Sequence, residues 1–172
     1  LLLSQGIRNK TILVTGAGGS IGSELSFQLM KLNPTKIILL ELNEHALYKI
    51  EKDLKLNNQK TTIIKAYLGS SCDQKLLDEI FDKEIIDVVF HAAAYKHVPI
   101  VELNPIIGIK NNVFSTKAIC NAAKKYQVSK VILISSDKAV RPSNVMGASK
   151  RLSELIIQGF ANEEKKNMQD EN

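Results

Sequence analysis

Five short runs rich in β-branched and large aliphatic residues recur along this chain, at residues 11–15, 36–40, 62–67, 87–91 and 130–135. Stretches with apolar residues at helical spacing lie between them. Ile21, Leu25, Leu29 and Leu32 recur at steps of four and three, as do Leu47, Ile50 and Leu54, and later Ile109, Val113, Thr116, Cys120 and Ala123. Each set gives a helix one apolar stripe to lay against a sheet. Strands separated by helices return in the same direction, and right-handed crossovers then favour a doubly wound parallel α/β sheet in the order 3-2-1-4-5.

After residue 135 comes a turn-rich stretch with Pro142, Ser143 and Asn144. A helix is expected from about Gly147, with Leu152, Leu155, Ile156 and Phe160 on one face. Residues 162–172 are charged, amidated and almost free of apolar side chains, so a loop or frayed end is expected there. The expected organisation is a linker over 1–10, one nucleotide-binding unit over 11–160 and a polar tail or loop over 161–172.

Composition narrows the function classes. A chain of 172 residues, 44% of them hydrophobic, supports one sizeable core. No apolar run approaches the roughly 20 residues that span a bilayer, so a cytoplasmic chain is expected, or the cytoplasmic domain of an inner-membrane protein. The net charge of +5 comes from scattered lysines, and only 5% of residues are aromatic, which disfavours nucleic-acid binding. Cys72 and Cys120 stand far apart and read as two reduced thiols; no metal site is expected.

Ligands of a doubly wound sheet bind beyond the carboxyl ends of its strands, and the informative motifs fall there. Gly16-Ala17-Gly18-Gly19-Ser20-Ile21-Gly22 directly follows the first strand and opens the first helix. Glycines at 16, 19 and 22 suit a tight turn, a close backbone approach to a pyrophosphate and close helix–strand packing, with the amides at the helix start, including those of Ser20 and Ile21, facing the phosphates. Gly18 lies inside the same loop. A merely structural turn is the alternative; the strand before it and the helix after it favour a Rossmann-like dinucleotide site. Glu41 ends the second strand, where a carboxylate accepts hydrogen bonds from ribose hydroxyls and repels a 2′-phosphate, favouring NAD over NADP. Ala92, Ala93 and Ala94 end the fourth strand, where bulk would block the cofactor; they could also simply begin a helix. Ser136-Asp137-Lys138 follows the fifth strand and offers a hydrogen-bond donor, a proton donor and, with a lowered pKa, a base, although an Asp-Lys pair is commonplace on surfaces.

Three segments carry a family resemblance: Val14–Leu25 around the glycines, His91-Ala92-Ala93-Ala94-Tyr95-Lys96-His97-Val98-Pro99, and Ser136-Asp137-Lys138-Ala139-Val140-Arg141-Pro142-Ser143-Asn144-Val145-Met146-Gly147-Ala148-Ser149-Lys150. They are similar to the polysaccharide-biosynthesis branch of the extended short-chain dehydrogenases/reductases, and more closely to bacterial UDP-N-acetylglucosamine 4,6-dehydratases. The resemblance runs nearly the whole chain to Gln158. It implies an enzyme of glycan or polysaccharide biosynthesis, with internally recycled NAD and a UDP-sugar substrate. By resemblance Lys138 removes the sugar C5 proton, Asp137 protonates the departing C6 hydroxyl, Ser136 holds the C4 oxygen, and Lys150 grips the nicotinamide ribose. Lys96 and His97 border the substrate, though His97 also fits an exposed loop, and Asn112 braces the backbone of the site.

Met146 occupies the position where short-chain dehydrogenases usually carry tyrosine, and a thioether cannot act as acid or base. The methionine marks a subgroup of this branch, in which Asp137 is the candidate to take the C4 hydroxyl proton as well. Relatives continue with another strand and a smaller substrate domain, so the chain is expected to be truncated before that domain and not to turn over substrate by itself, with the longer parent a homo-oligomer and membrane-anchored. Three rivals stay open. A 4-epimerase on the same scaffold would need the missing tyrosine, a non-catalytic NAD-binding protein would not need Lys138, and a nucleic-acid-binding module would show salt-sensitive affinity.

Overall fold

The computed structural model describes residues 6–58 and 62–170, with the side chains of 164, 165 and 167–170 left aside. Its strands are β1 (Thr11–Thr15), β2 (Lys36–Glu41), β3 (Ile63–Leu68), β4 (Val88–His91) and β5 (Lys130–Leu133). The helices are α1 (Ser20–Lys31), α2 (Glu44–Asn57), α3 (Gln74–Glu84), α4 (Val98–Leu103), α5 (Pro105–Ile109), α6 (Ser115–Lys125) and α7 (Val145–Asp170). A π-turn, Lys110–Phe114, joins α5 to α6, and a 3₁₀ turn, Asp137–Ala139, precedes α7.

All strand pairs are parallel, in the order β3-β2-β1-β4-β5. Because successive strand residues face opposite ways, the sheet has two cores. Ile12, Val14, Ile37, Leu39, Val88 and Phe90 pack with Leu29 and Met30 of α1 and with Leu47, Ile50 and Leu54 of α2. Leu13, Ile38, Leu40 and Val89 pack with Leu77, Ile80 and Phe81 of α3 and with Ile119 and Ala122 of α6. Burial on both faces is why the central strands read as unbroken apolar runs.

Strand ends differ slightly from expectation, and polar anchors explain it. Asp87 leaves β4 because its carboxylate accepts from Thr11 N at 2.8 Å and pairs with Lys10 Nζ at 2.9 Å. β5 stops at Leu133; Ile134 N still donates to His91 O, but the Ile134 carbonyl accepts from Lys150 Nζ at 2.6 Å. Helix α3, which the sequence reading did not single out, is capped by Asp73, whose carboxylate accepts from Lys75 N and Leu76 N.

Three expectations are corrected. The single helix running from Ile109 to Ala123 is interrupted by the π-turn, which advances the inward face so that Asn112, Ser115 and Thr116 are buried. On α7 the buried residues are Met146, Gly147, Ser149, Lys150 and Ser153, whereas Leu152 and Leu155 are 45% and 46% exposed. Small hydroxyl side chains let α7 lie close against the π-turn, and the larger apolar residues are left on its flank. The tail, expected as a loop, continues α7 through Asp170; its alanine, glutamate, lysine and glutamine residues are good helix formers without any apolar stripe, and Glu163 pairs with Lys124 of α6 at 3.1 Å. Of the expected leading linker, residues 1–5 lie outside the described residues, while Ile7 packs into the α1–α2 core. Among the described residues no helix is long and apolar enough to cross a membrane.

Candidate functional site

The glycine loop leaves β1 through Gly16, whose φ of +63° is left-handed and whose added Cβ would sit 2.7 Å from the backbone of Ala93. The glycine turn and the alanine segment therefore touch main chain to main chain, which accounts for glycine at position 16. A Cβ on Gly22 would overlap the Gly16 carbonyl oxygen, so this glycine sets how closely α1 approaches the turn. Gly19 caps α1 with extended backbone and no side-chain hydrogen bond, leaving the first amides of the helix open to an anion.

Glu41 does more than end β2. One carboxylate oxygen accepts from Gly18 N at 3.0 Å, and the other accepts from Leu42 N at 2.9 Å and Asn43 N at 3.0 Å. It thus fixes the glycine loop and the β2–α2 turn together, and one lone-pair site remains for a hydroxyl donor, on the oxygen that accepts from Gly18 N. Two cavities of about 500 and 510 Å³ flank the loop and share Gly16, Gly19, Ala92, Ala94 and Tyr95. Glu41, Gly69, Ser70 and Ser71 line the one beyond β2 and β3; Ser20, Ile21, Lys96 and His97 line the other. Lys96 Nζ lies 3.4 Å from Ser20 Oγ, which brings its charge to the mouth of α1.

The remaining predicted residues line neither of these cavities. Asp137 and Lys138 are exposed on the 3₁₀ turn, with Lys138 Nζ 3.5 Å from Asp137 Oδ1. Ser136 Oγ donates to Asp137 Oδ1 at 3.0 Å and accepts from Lys138 N at 3.1 Å. The Ser136 hydroxyl, and then the Lys138 charge, hold the Asp137 carboxyl below the ordinary carboxylate range, so it is an anion at neutral pH. Met146 is only 2% exposed. Lys150 is buried along α7, its pKa lowered by burial, and its amine is directed to Ile134 O at the end of β5.

A buried polar network that sequence reasoning missed links these pieces. Thr15 Oγ1 accepts from Ala93 N at 3.3 Å and lies 2.6 Å from His91 Nδ1, while His91 Nε2 lies 3.2 Å from Ser115 Oγ. Burial, and then the nearby Lys150 charge, push the His91 imidazole down to about 3, so it is neutral. One direction then satisfies every group: the Thr15 hydroxyl donates to Nδ1, Nε2–H donates to Ser115, and the Ser115 hydroxyl donates to the Asn112 carbonyl at 3.4 Å. That carbonyl, within the π-turn, also accepts from Thr116 Oγ1 at 2.8 Å and Ser153 Oγ at 2.9 Å.

The Asn112 side chain accepts from Tyr95 N at 2.7 Å and donates to Tyr95 O at 3.0 Å and Ser149 Oγ at 2.9 Å. It clamps the Tyr95-Lys96-His97 loop to the helix that carries Lys150, which agrees with the bracing expected of it. The available signal for the network was a histidine ending an apolar strand, Val88-Val89-Phe90-His91, and hydroxyls at buried helical positions.

The fold and the glycine loop define a protein of the short-chain dehydrogenase/reductase class. Within it, the chain belongs to the polysaccharide biosynthesis protein family, which matches residues 12–171. It is 45% identical over 159 residues to the capsular polysaccharide biosynthesis protein CapD of Staphylococcus aureus, covering 92% of this chain and 26% of that protein. It is 37% identical over 153 residues to a protein of Rickettsia massiliae named UDP-glucose 4-epimerase, covering 86% of this chain and 42% of that one. Among solved structures, the UDP-glucose 4-epimerase of Bifidobacterium longum in complex with NAD+ and UDP superposes with a TM-score of 0.75 at 26% identity, over 87% of this chain and 48% of that one. The chain therefore spans about a quarter to a half of the proteins it matches.

Proposed function

We propose that this chain is the NAD-binding part of a nucleotide-sugar 4,6-dehydratase of polysaccharide biosynthesis, converting UDP-N-acetylglucosamine to a UDP-4-keto-6-deoxy sugar. The observation that carries the reading is the pairing, beyond β5, of an exposed Ser136-Asp137-Lys138 turn with a helix that presents Met146 and Lys150 and offers no tyrosine.

NAD fits the residues present. The glycine turn can close on Ala93 and on the start of α1 only while positions 16 and 22 lack a Cβ, the open amides of α1 and the Lys96 charge favour an anion, and Glu41 keeps an acceptor site for a ribose hydroxyl and opposes a 2′-phosphate. When bound, NAD supplies a hydride acceptor that becomes a hydride donor later in the same turnover. Gly16, Gly18, Gly19, Ser20, Ile21, Gly22 and Glu41 bind it, Ala92 to Ala94 make room for it, and Lys150 holds its nicotinamide ribose.

Proton handling falls to the 3₁₀ turn. Asp137, held as a carboxylate, takes the C4 hydroxyl proton and thereby becomes the acid that gives this proton to the departing C6 hydroxyl. One group so fills both of its expected roles, and its depressed pKa favours the state that must act first. Lys138, which must first release its own proton to solvent, removes the C5 proton as the free amine and later returns one to C5, and Ser136 holds the C4 oxygen. Lys96 and His97 border the sugar nucleotide, with Lys96 also within reach of the cofactor phosphates.

The similarity to proteins named UDP-glucose 4-epimerase favours a second reading, 4-epimerisation. The absent tyrosine and the Asp137-Lys138 pair weigh against it. Mass spectrometry of UDP-N-acetylglucosamine incubated with NAD in heavy water separates the two, using this chain and the whole polypeptide its gene encodes. Loss of one water with one deuterium gained is expected of the dehydratase, because the C5 proton exchanges during elimination. An epimer of unchanged mass indicates the second reading, and NAD binding without any change in the sugar rejects both.

A further inference from the structure

We propose that Gly147 is a positioning residue for Lys138, a slot in the first turn of α7 that fixes where the lysine is rooted; this rests on the reading of Lys138 as the base. The Lys138 side chain is half exposed, so its own contacts do not locate it; its main chain does. A Cβ added at Gly147 would overlap the Lys138 carbonyl oxygen and sit 3.2 Å from the Lys138 carbonyl carbon. The carbonyl therefore lies directly on the helix backbone, in a space that only glycine leaves.

Both sides of this contact are held. On the helix side, Asn144 Oδ1 accepts from Gly147 N at 2.8 Å, and Glu102 of α4 accepts from Val145 N at 2.5 Å. On the turn side, Ala139 N donates to Ser136 O at 3.1 Å and Val140 N to Asp137 O at 3.0 Å, with Ala139 itself buried. Glycine weakens a helix interior through its backbone freedom, and at Gly159 of the same helix nothing lies within 4 Å of an added Cβ. Of the two glycines of α7, position 147 is the one with a steric reason to be glycine.

Displacing a reacting group by about 1 Å lowers turnover by up to roughly a hundredfold. Gly147→Ala, in the full polypeptide with UDP-N-acetylglucosamine and NAD, is therefore expected to lower kcat by roughly tenfold to a hundredfold, leaving KM and the Kd for NAD unchanged. Gly159→Ala should turn over at the parent rate. The decisive comparison is with Lys138→Ala: if Gly147 acts through Lys138, the double variant is no slower than Lys138→Ala alone, with residual rates read as deuterium gained over long incubations. Multiplied losses, a loss confined to NAD affinity, or full activity of Gly147→Ala overturn the proposal. Should Gly147→Ala fail to fold, Asn144→Ala, which removes the acceptor for Gly147 N, takes its place with the same expected coupling and the same refutation. Full turnover by Lys138→Ala instead refutes the dehydratase chemistry itself.

Discussion

Acid should unfold this protein through His91, by an amount the buried network sets. The imidazole is neutral in the folded chain with a pKa of about 3, against an ordinary value of 6.5. Its folded pKa is depressed, so the unfolded chain binds the extra proton first. The stability is complete above pH 6.5, declines as pH falls below it, and goes on declining to about pH 3. At pH 5 the difference amounts to about 2 kcal/mol, which for a chain of this size lowers Tm by roughly 4–8 °C. Carboxylates titrate in the same range, so the measurement is a difference: Tm against pH for the parent and for His91→Gln, which keeps a donor and an acceptor but cannot take up the proton. His91→Gln should be less stable at pH 7.5 because its geometry matches Thr15 and Ser115 less well, and the gap should narrow by about 2 kcal/mol on going to pH 5. Parallel curves would refute a buried neutral imidazole.

Other outcomes follow from the same geometry. Gly22→Ala forces a Cβ onto the Gly16 carbonyl and should abolish NAD binding in calorimetry while costing about 1–3 kcal/mol of stability; parent-like affinity would show that the loop has room to spare. Asn112→Ala removes three hydrogen bonds to Tyr95 and Ser149 and should cost about 2–3 kcal/mol in urea unfolding, a shift under about 0.5 kcal/mol meaning that water replaces the clamp. Lys36→Met strips the 2.7 Å partner from the buried Glu84 carboxylate, leaving it the Tyr67 hydroxyl and the more distant Lys65 charge, and should cost about 3 kcal/mol at neutral pH, partly recovered by adding Glu84→Gln.

The sheet was legible from the sequence because its information is local. Apolar runs buried on both faces and helices with a single stripe specify strand and helix by period alone, and crossover handedness then leaves few orders. The glycine loop, Glu41 and the alanine segment were legible for the same reason: each sits at a strand end, and the chemistry of a strand end in a parallel sheet is general. The inward face of α7 was not legible. Its most apolar residues, Leu152 and Leu155, are on the flank, because a helix packed on a π-turn gains more from Ser149 and Ser153 reaching buried carbonyls than from filling that narrow contact with leucine. Nor could the sequence say that Gly147 faces the Lys138 carbonyl or that His91 joins β1 to α6. Those contacts join residues far apart in the chain or across a turn, and they depend on distances of a few tenths of an ångström that only the packed structure decides.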